Sequence, residues 1–172
     1  MAGCRGLSRQ SDVLSDKGAQ MQRKVEQYAT FRLTTDVTQL TGKQKEMIPI
    51  LIEAAQIMDE LFWYEAHGNR EKLLRSIDDV GTRRFIEMNY GPWDRLDGNK
   101  AFLDGVGEKP KGANFYPQDM TKDEFEAADL PDKASLYTFV RRGDDGMLRT
   151  IPYHKMFETR TAKVSELLRK AA

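Results

Sequence analysis

Thr41-Gly42-Lys43-Gln44-Lys45-Glu46-Met47-Ile48-Pro49-Ile50-Leu51-Ile52-Glu53-Ala54-Ala55-Gln56-Ile57-Met58-Asp59-Glu60-Leu61-Phe62 carries both a helix start and a helix face. Thr41 and Gln44 have the spacing of a capping box, in which two side chains satisfy orphan amides at a helix opening. Ile48, Leu51, Ile52, Ala55, Ile57, Met58, Leu61 and Phe62 then form a broad apolar stripe, while Glu46, Glu53, Asp59 and Glu60 occupy much of the remainder. Pro49 falls close enough to the start to bend the first turns without breaking the helix. Gly68 supplies a left-handed stop, and Asn69 is placed to cap a second helix through Leu73 and Leu74. Val80, Phe85, Ile86 and Met88 predict a third helix over about Asp78–Met88, with the adjacent Asp78 and Asp79 at its cap.

Upstream of this helix, Met21, Val25 and Tyr28 recur at helical spacing from Lys17 onward, and Phe31, Leu33 and Thr35 alternate as an extended segment would. Residues 1–16 are rich in Ser, Gly, Arg and Asp without periodicity and are expected to be a disordered lead-in. Downstream, Asn89–Gln118 sets Gly91-Pro92, Asp97-Gly98, Gly105, Gly107, Pro110, Gly112 and Pro117 among aromatics, which predicts a long ordered loop region. Thr121 and Glu124 repeat the capping box and open a short helix. Ser135–Arg142 and Met147–Tyr153 alternate in character around Gly143-Asp144-Asp145-Gly146, so they predict a β-hairpin. Lys155–Lys170 closes as a helix with cations in its last turn, and no stop signal follows. The expected fold is therefore α+β and predominantly helical, with one β-hairpin and a long ordered loop region. Residues 17–172 are read as a single mostly helical lobe segment.

Composition narrows the function. Lys plus Arg and Asp plus Glu number 27 each, so the net charge is zero and nothing biases the chain toward nucleic acid or anionic lipid. The stretch from Met47 to Trp63 is apolar but carries Glu53, Gln56, Asp59 and Glu60, which lipid would penalise, and no transmembrane span is expected. One cysteine, Cys4, excludes an internal disulfide framework and a thiolate metal cluster. Ala2-Gly3-Cys4 resembles the end of a bacterial lipoprotein signal, yet the basic and apolar regions of such a signal are missing before it. Cys4 is then either a processing site of an earlier-starting precursor or an ordinary terminal residue, and cytoplasm and bacterial envelope both remain open.

Catalytic chemistry is hard to place. A hydrolytic zinc site needs about three His, Asp or Glu ligands, commonly two histidines one helical turn apart. The two histidines present, His67 and His154, lie far apart in sequence. His67 is expected to make a dipole contact at a helix end, and His154 a turn contact. There is no Gly-x-Ser-x-Gly elbow, and Gly105-Val106-Gly107 lacks the later glycine and helix start of a pyrophosphate cradle. No catalytic and no metal residue is assigned. One cluster stands out: Trp93, Asp94 and Arg95 in one loop, Asn114 and Tyr116 in another, combine aromatic faces, an amide and a charge pair, the composition of a substrate-binding surface. The alternative is structural, with the aromatics stapling loops onto a helical layer and Asp94 and Arg95 satisfying backbone groups.

At these residues the chain resembles a family. Lys24-Val25-Glu26-Gln27-Tyr28-Ala29, Arg32–Asp36, Glu46–Ala55, Asp59-Glu60-Leu61-Phe62-Trp63, Asn89–Gly98 and Gly112–Thr121 resemble the amino-terminal region of bacterial zinc-dependent dipeptidyl peptidase III proteins. Ser135–Thr138 with Ile151–His154 adds to the resemblance, which spans about Asp16–Ala172. It implies part of one lobe of a larger two-lobed metallopeptidase that removes dipeptides from the amino termini of short peptides. It also implies zinc in the parent protein, held by a His-Glu motif and further ligands that this chain does not carry. The remainder of the parent polypeptide, with its zinc-bearing lobe, and a short peptide substrate are the implied partners, and the segment alone is expected to be inactive. The alternative is a freestanding peptide-binding or scaffolding module, or a surface lipoprotein domain.

Overall fold

A computed structural model describes the backbone of residues 5–172, with side chains from Asp16 onward. Met1–Cys4, and with them the Ala2-Gly3-Cys4 motif, lie outside the described residues. In chain order the elements are α1 (Arg5–Glu26), α2 (Gly42–Ala66), α3 (Arg70–Arg75), α4 (Val80–Asn89), β1 (Trp93–Asp94), β2 (Lys100–Ala101), α5 (Lys122–Ala127), β3 (Thr138–Arg142), β4 (Leu148–Pro152), α6 (Tyr153–Met156) and α7 (Glu158–Ala171). The α+β, mostly helical class read from the sequence is the observed one. Among the described residues no helix is long and apolar enough to cross a membrane.

The helix starts follow their local chemistry. The Thr41 hydroxyl accepts from Gln44 N–H while the Gln44 side chain accepts from Thr41 N–H, so α2 opens on a complete capping box. Asn69 caps α3, Asp79 caps α4 and Thr121 caps α5, each accepting from the amide three residues on. Pro49 sits within the early turns of α2, where the helix tolerates it. Gly68, with φ of 113°, turns the chain just after α2.

Two features differ from the sequence reading. The α1 backbone is helical from Arg5, upstream of the expected start near Lys17. Once the Met21–Val25 turn is anchored, each added residue gains a hydrogen bond without a new nucleation cost, so periodicity is not needed there. The loop region also contains a second, very short antiparallel pair, with Trp93 opposite Ala101 and Asp94 opposite Lys100. Two residues per strand are too few to show alternation. The segment around Phe31 and Leu33 follows the extended reading in part: it pairs with no strand among the described residues.

The contacts divide the chain into two compact units. The first takes residues up to Thr34 together with Asn69–Lys109. Here α1 packs on α4, burying Met21, Val25 and Phe85, with Tyr28, Met88 and Phe102 against them. The Phe85 and Phe102 ring centroids lie 4.7 Å apart. Gly81 admits α1 closely: a Cβ there would stand 3.1 Å from the Gln22 backbone nitrogen.

The second unit takes Thr35–Gly68 and Pro110–Ala172. Its core is an aromatic knot around Phe139, which is fully buried with Leu61. Phe115 stacks on Phe139 at 4.6 Å and 4°, Phe157 meets it edge-on at 5.5 Å, and Tyr64 and Tyr153 complete the ring of neighbours. α2 packs on α7, and β3 pairs with β4 in register from Thr138 opposite Pro152 to Arg142 opposite Leu148.

Because every face of Phe139 is in contact, truncating it leaves a cavity that the neighbouring rings cannot fill together. Phe139→Ala is expected to lower the unfolding free energy by about 3–5 kcal/mol, read from urea denaturation followed by circular dichroism. A loss within about 1 kcal/mol would show that the knot is not a principal source of stability.

Candidate functional site

In the first unit the candidates Trp93, Asp94 and Arg95 occupy β1 and the residue after it. Tyr90, at φ 53° and ψ 40°, ends α4 in the left-handed region, and Gly91 at φ 146° continues the reversal. This turn delivers Trp93 and Asp94 to buried positions. The Asp94 carboxylate meets Lys24 Nζ at 2.7 Å and accepts from Leu96 N–H at 3.1 Å. Its carbonyl takes the Asp97 and Asn99 amides, which closes the loop between β1 and β2. Trp93 donates its indole N–H to Gly107 O at 3.0 Å. Arg95 Nε donates to Asn89 O at 2.9 Å, its amide donates to the Asn89 side chain at 2.9 Å, and its guanidinium lies over the Tyr90 ring. Asn89 is itself buried and donates to Phe85 O.

A pocket of about 240 Å³ adjoins this turn, lined by Lys24, Gln27, Tyr28, Phe85, Asp94 and neighbours. It is smaller than most small-molecule sites, which begin near 300 Å³. Lys109, partly buried in the loop that follows β2, donates to Asn99 and is held below the usual lysine range by burial and then by the Arg95 charge.

In the second unit Asn114 and Tyr116 have different tasks. Asn114 donates its amide N–H to Glu65 O at 2.9 Å and its side-chain N–H to Tyr64 O at 2.8 Å. Both acceptors lie in the last turn of α2, where carbonyls have no helical partner. Arg141 grips the same loop, donating to Asn114 O at 2.8 Å and Phe115 O at 3.0 Å. Tyr116 turns the other way, edge-on to Phe125 at 5.6 Å. Its ring passes so close to Gly112, at φ 78°, that a Cβ there would overlap it at 2.4 Å. A groove of about 470 Å³ runs along this side, lined by Pro110, Gly112, Tyr116, Pro117, Met120 and Phe125 among others. That volume and lining suit a small ligand or a peptide side chain.

The stretch from Gln118 to Phe125, which supplies several of the groove's lining residues, is held by charge. Arg142 meets both Glu124 oxygens, at 2.6 and 3.0 Å, and Asp119 at 3.0 Å. The Arg142 hydrogen bond holds the Glu124 carboxyl below its ordinary value. Sequence reading did not single out Arg141 or Arg142. Their position on β3 was legible, but their partners are non-local. It also did not single out the Tyr153 hydroxyl, which donates to Glu65 at 2.5 Å. Burial, and then the Glu65 carboxylate, push that phenol upward.

The five candidates are thus divided, Trp93, Asp94 and Arg95 in one unit and Asn114 and Tyr116 in the other. Among the described residues no three His, Cys, Asp or Glu side chains gather to hold a metal ion. His154 lies exposed within α6, and His67 caps the end of α2.

No protein-family model matches the chain. Among solved structures it superposes on the dipeptidyl-peptidase III of Caldithrix abyssi with a TM-score of 0.79 and 33% identity, over 87% of this chain and 30% of that one. The resemblance read in the sequence is shown: this chain is built like part of a bacterial dipeptidyl-peptidase III. The dipeptidyl-peptidase III of Corallococcus sp. strain EGB gives the same TM-score at 32% identity, over 90% of this chain and 31% of that one. A curated protein named Nudix hydrolase 3, from Arabidopsis thaliana, is 24% identical over 88% of this chain and 28% of its own length. The chain therefore spans less than a third of each protein it matches, which agrees with its being an amino-terminal region of a dipeptidyl-peptidase III protein.

Two expectations follow from the geometry. Asp94→Ala leaves Lys24 and the Leu96 amide without their acceptor in a partly buried place. It is expected to cost about 2–3 kcal/mol in urea unfolding, somewhat below the range for fully buried pairs. His67 is partly buried, and burial pushes its imidazole below the ordinary 6.5. The unfolded ring then binds a proton more readily than the folded one, so stability is full above that value and declines as pH falls below it. Unfolding free energies measured at about pH 7.5 and pH 5.5 should fall for the natural chain and fall less for His67→Gln; an equal decline in both would assign the effect to other groups.

Proposed function

We propose that this chain is the amino-terminal portion of a zinc-dependent dipeptidyl peptidase of the dipeptidyl-peptidase III type, which releases dipeptides from the amino termini of short peptides. The observation that carries the reading is the shared fold at 33% identity over 87% of the chain. The name of the plant Nudix protein carries less weight, since that likeness is 24% identical. On this reading the chain supplies part of one lobe, and the remaining polypeptide supplies the zinc-bearing lobe.

The reaction of such an enzyme is metal-assisted hydrolysis, in which the ion lowers the pKa of a bound water and polarises the scissile carbonyl. The donors of this chain do not fit such an ion, because no set of them converges among the described residues. No step of hydrolysis is therefore assigned to it. What the chain contributes is position. Trp93, Asp94 and Arg95 fix one loop through the Gly107, Lys24 and Asn89 contacts, and Asn114 fixes the other against α2. Tyr116 is the candidate that lines a groove wide enough to take a peptide side chain, and its aromatic face suits an apolar one.

The chain alone, assayed on a chromogenic dipeptidyl substrate with and without added zinc, should give no turnover, whereas the full product of its gene should release dipeptides until a chelator is added. Metal-dependent turnover by the 172-residue chain alone would overturn the reading.

A further inference from the structure

The groove beside Tyr116 combines apolar rings with charge of one sign. The Tyr116 and Phe125 rings, Met120, Pro110 and Pro117 form its apolar lining. That lining is held in place by the chain itself. Tyr116 packs against the Gly112 backbone and lies edge-on to Phe125. The Lys133 ammonium stands 5.1 Å from the centre of the Phe125 ring and donates to the Phe125, Glu126 and Ala128 carbonyls at 2.6, 2.9 and 2.7 Å, which ties that ring to the end of α5. The Ala113 and Met120 amides close turns onto the Pro110 and Pro117 carbonyls. A site formed in advance spares its ligand the cost of ordering it.

The charged side chains that line this groove are Lys111 and Lys122, both exposed, and no acidic side chain lines it among the described residues. Asp119 and Glu124, close by in sequence, are taken by Arg142. Lys122 meets Glu126 at 3.5 Å one turn along α5, an exposed pair of little worth that a better-placed carboxylate can displace. We propose that the groove binds an acidic peptide segment, which seats one apolar side chain against Tyr116 and Phe125 while carboxylates flanking it in sequence reach Lys111 and Lys122. This rests on the peptidase reading for the choice of a peptide over another apolar acid. The sign of the charge is argued from the groove itself: a basic segment brings like charges together, and a neutral one leaves both ammonium groups unanswered. A volume of about 470 Å³ lies in the range of sites that enclose a ligand between apolar walls and orient it with a few polar groups.

The experiment is isothermal titration calorimetry on the full product of the gene with three peptides, acetyl-Glu-Glu-Leu-Glu-Glu-amide, its all-lysine counterpart acetyl-Lys-Lys-Leu-Lys-Lys-amide, and acetyl-Glu-Glu-Gly-Glu-Glu-amide. Their blocked amino termini offer nothing for a dipeptidyl peptidase to release, so binding is read without cleavage. The acidic leucine peptide is expected to bind at least about tenfold more tightly than either of the others, and less tightly as salt rises. Lys111→Glu reverses an exposed charge without touching the apolar lining, and it is expected to weaken that peptide about tenfold. Equal affinity for the acidic and lysine peptides, no binding of any of them, or an unchanged affinity in Lys111→Glu overturns the proposal. Dipeptide release from an unblocked peptide is measured on the same preparation. Release without acidic-peptide binding sinks this inference and leaves the peptidase reading standing, whereas binding without release supports the groove and sinks that reading.

Discussion

The second unit depends on Asn114. Its backbone and side-chain N–H groups take the Glu65 and Tyr64 carbonyls at the end of α2. A helix end of this kind has four carbonyls with no internal partner, and burying them unmet would cost on the order of 1–3 kcal/mol each. By meeting two of them, one loop residue fixes where α2 stops and where the loop begins. The consequences run outward from there. Arg141 can hold the Asn114 and Phe115 carbonyls, Phe115 is set flat on Phe139, and Tyr116 is left facing the groove. The aromatic knot and the groove are thus two sides of one constraint.

The first unit solves a similar problem with charge. Asp94 serves Lys24 with one oxygen and the Leu96 amide with the other, while its carbonyl closes the turn. Asn89 performs the matching task for Arg95. These residues look like recognition chemistry when read along the chain, because aromatics, amides and a charge pair are what ligands are recognised with. In the folded chain the same groups hold backbone. Their contribution to function under the peptidase reading is therefore the shape of the loops, with Tyr116 the candidate whose ring lines open space.

What was legible in the sequence was local. Thr41, Asn69, Asp79 and Thr121 each name a helix start because a cap needs only its own next three residues. The β3–β4 hairpin was legible from alternation on both sides of a Gly-Asp-Asp-Gly turn. The β1–β2 pair was not, since two residues give no period. The partners of Asn114 were not legible either: Tyr64 is 50 positions away and Arg141 follows by 27, and nothing in a single sequence couples them. The α2 stripe was legible as apolar, but which of its residues are buried was not, because burial depends on what packs against the helix.

The proposed function requires that this fold be one portion of a zinc peptidase whose ion is held by other residues of a longer polypeptide. Native mass spectrometry of the protein purified from its source, with metal analysis of the same sample, tests it most directly. The expected result is a polypeptide several times heavier than 19.7 kDa carrying a bound zinc ion, with no zinc retained by the 172-residue chain when it is prepared alone. A native protein of 19.7 kDa that binds zinc tightly by itself would contradict it.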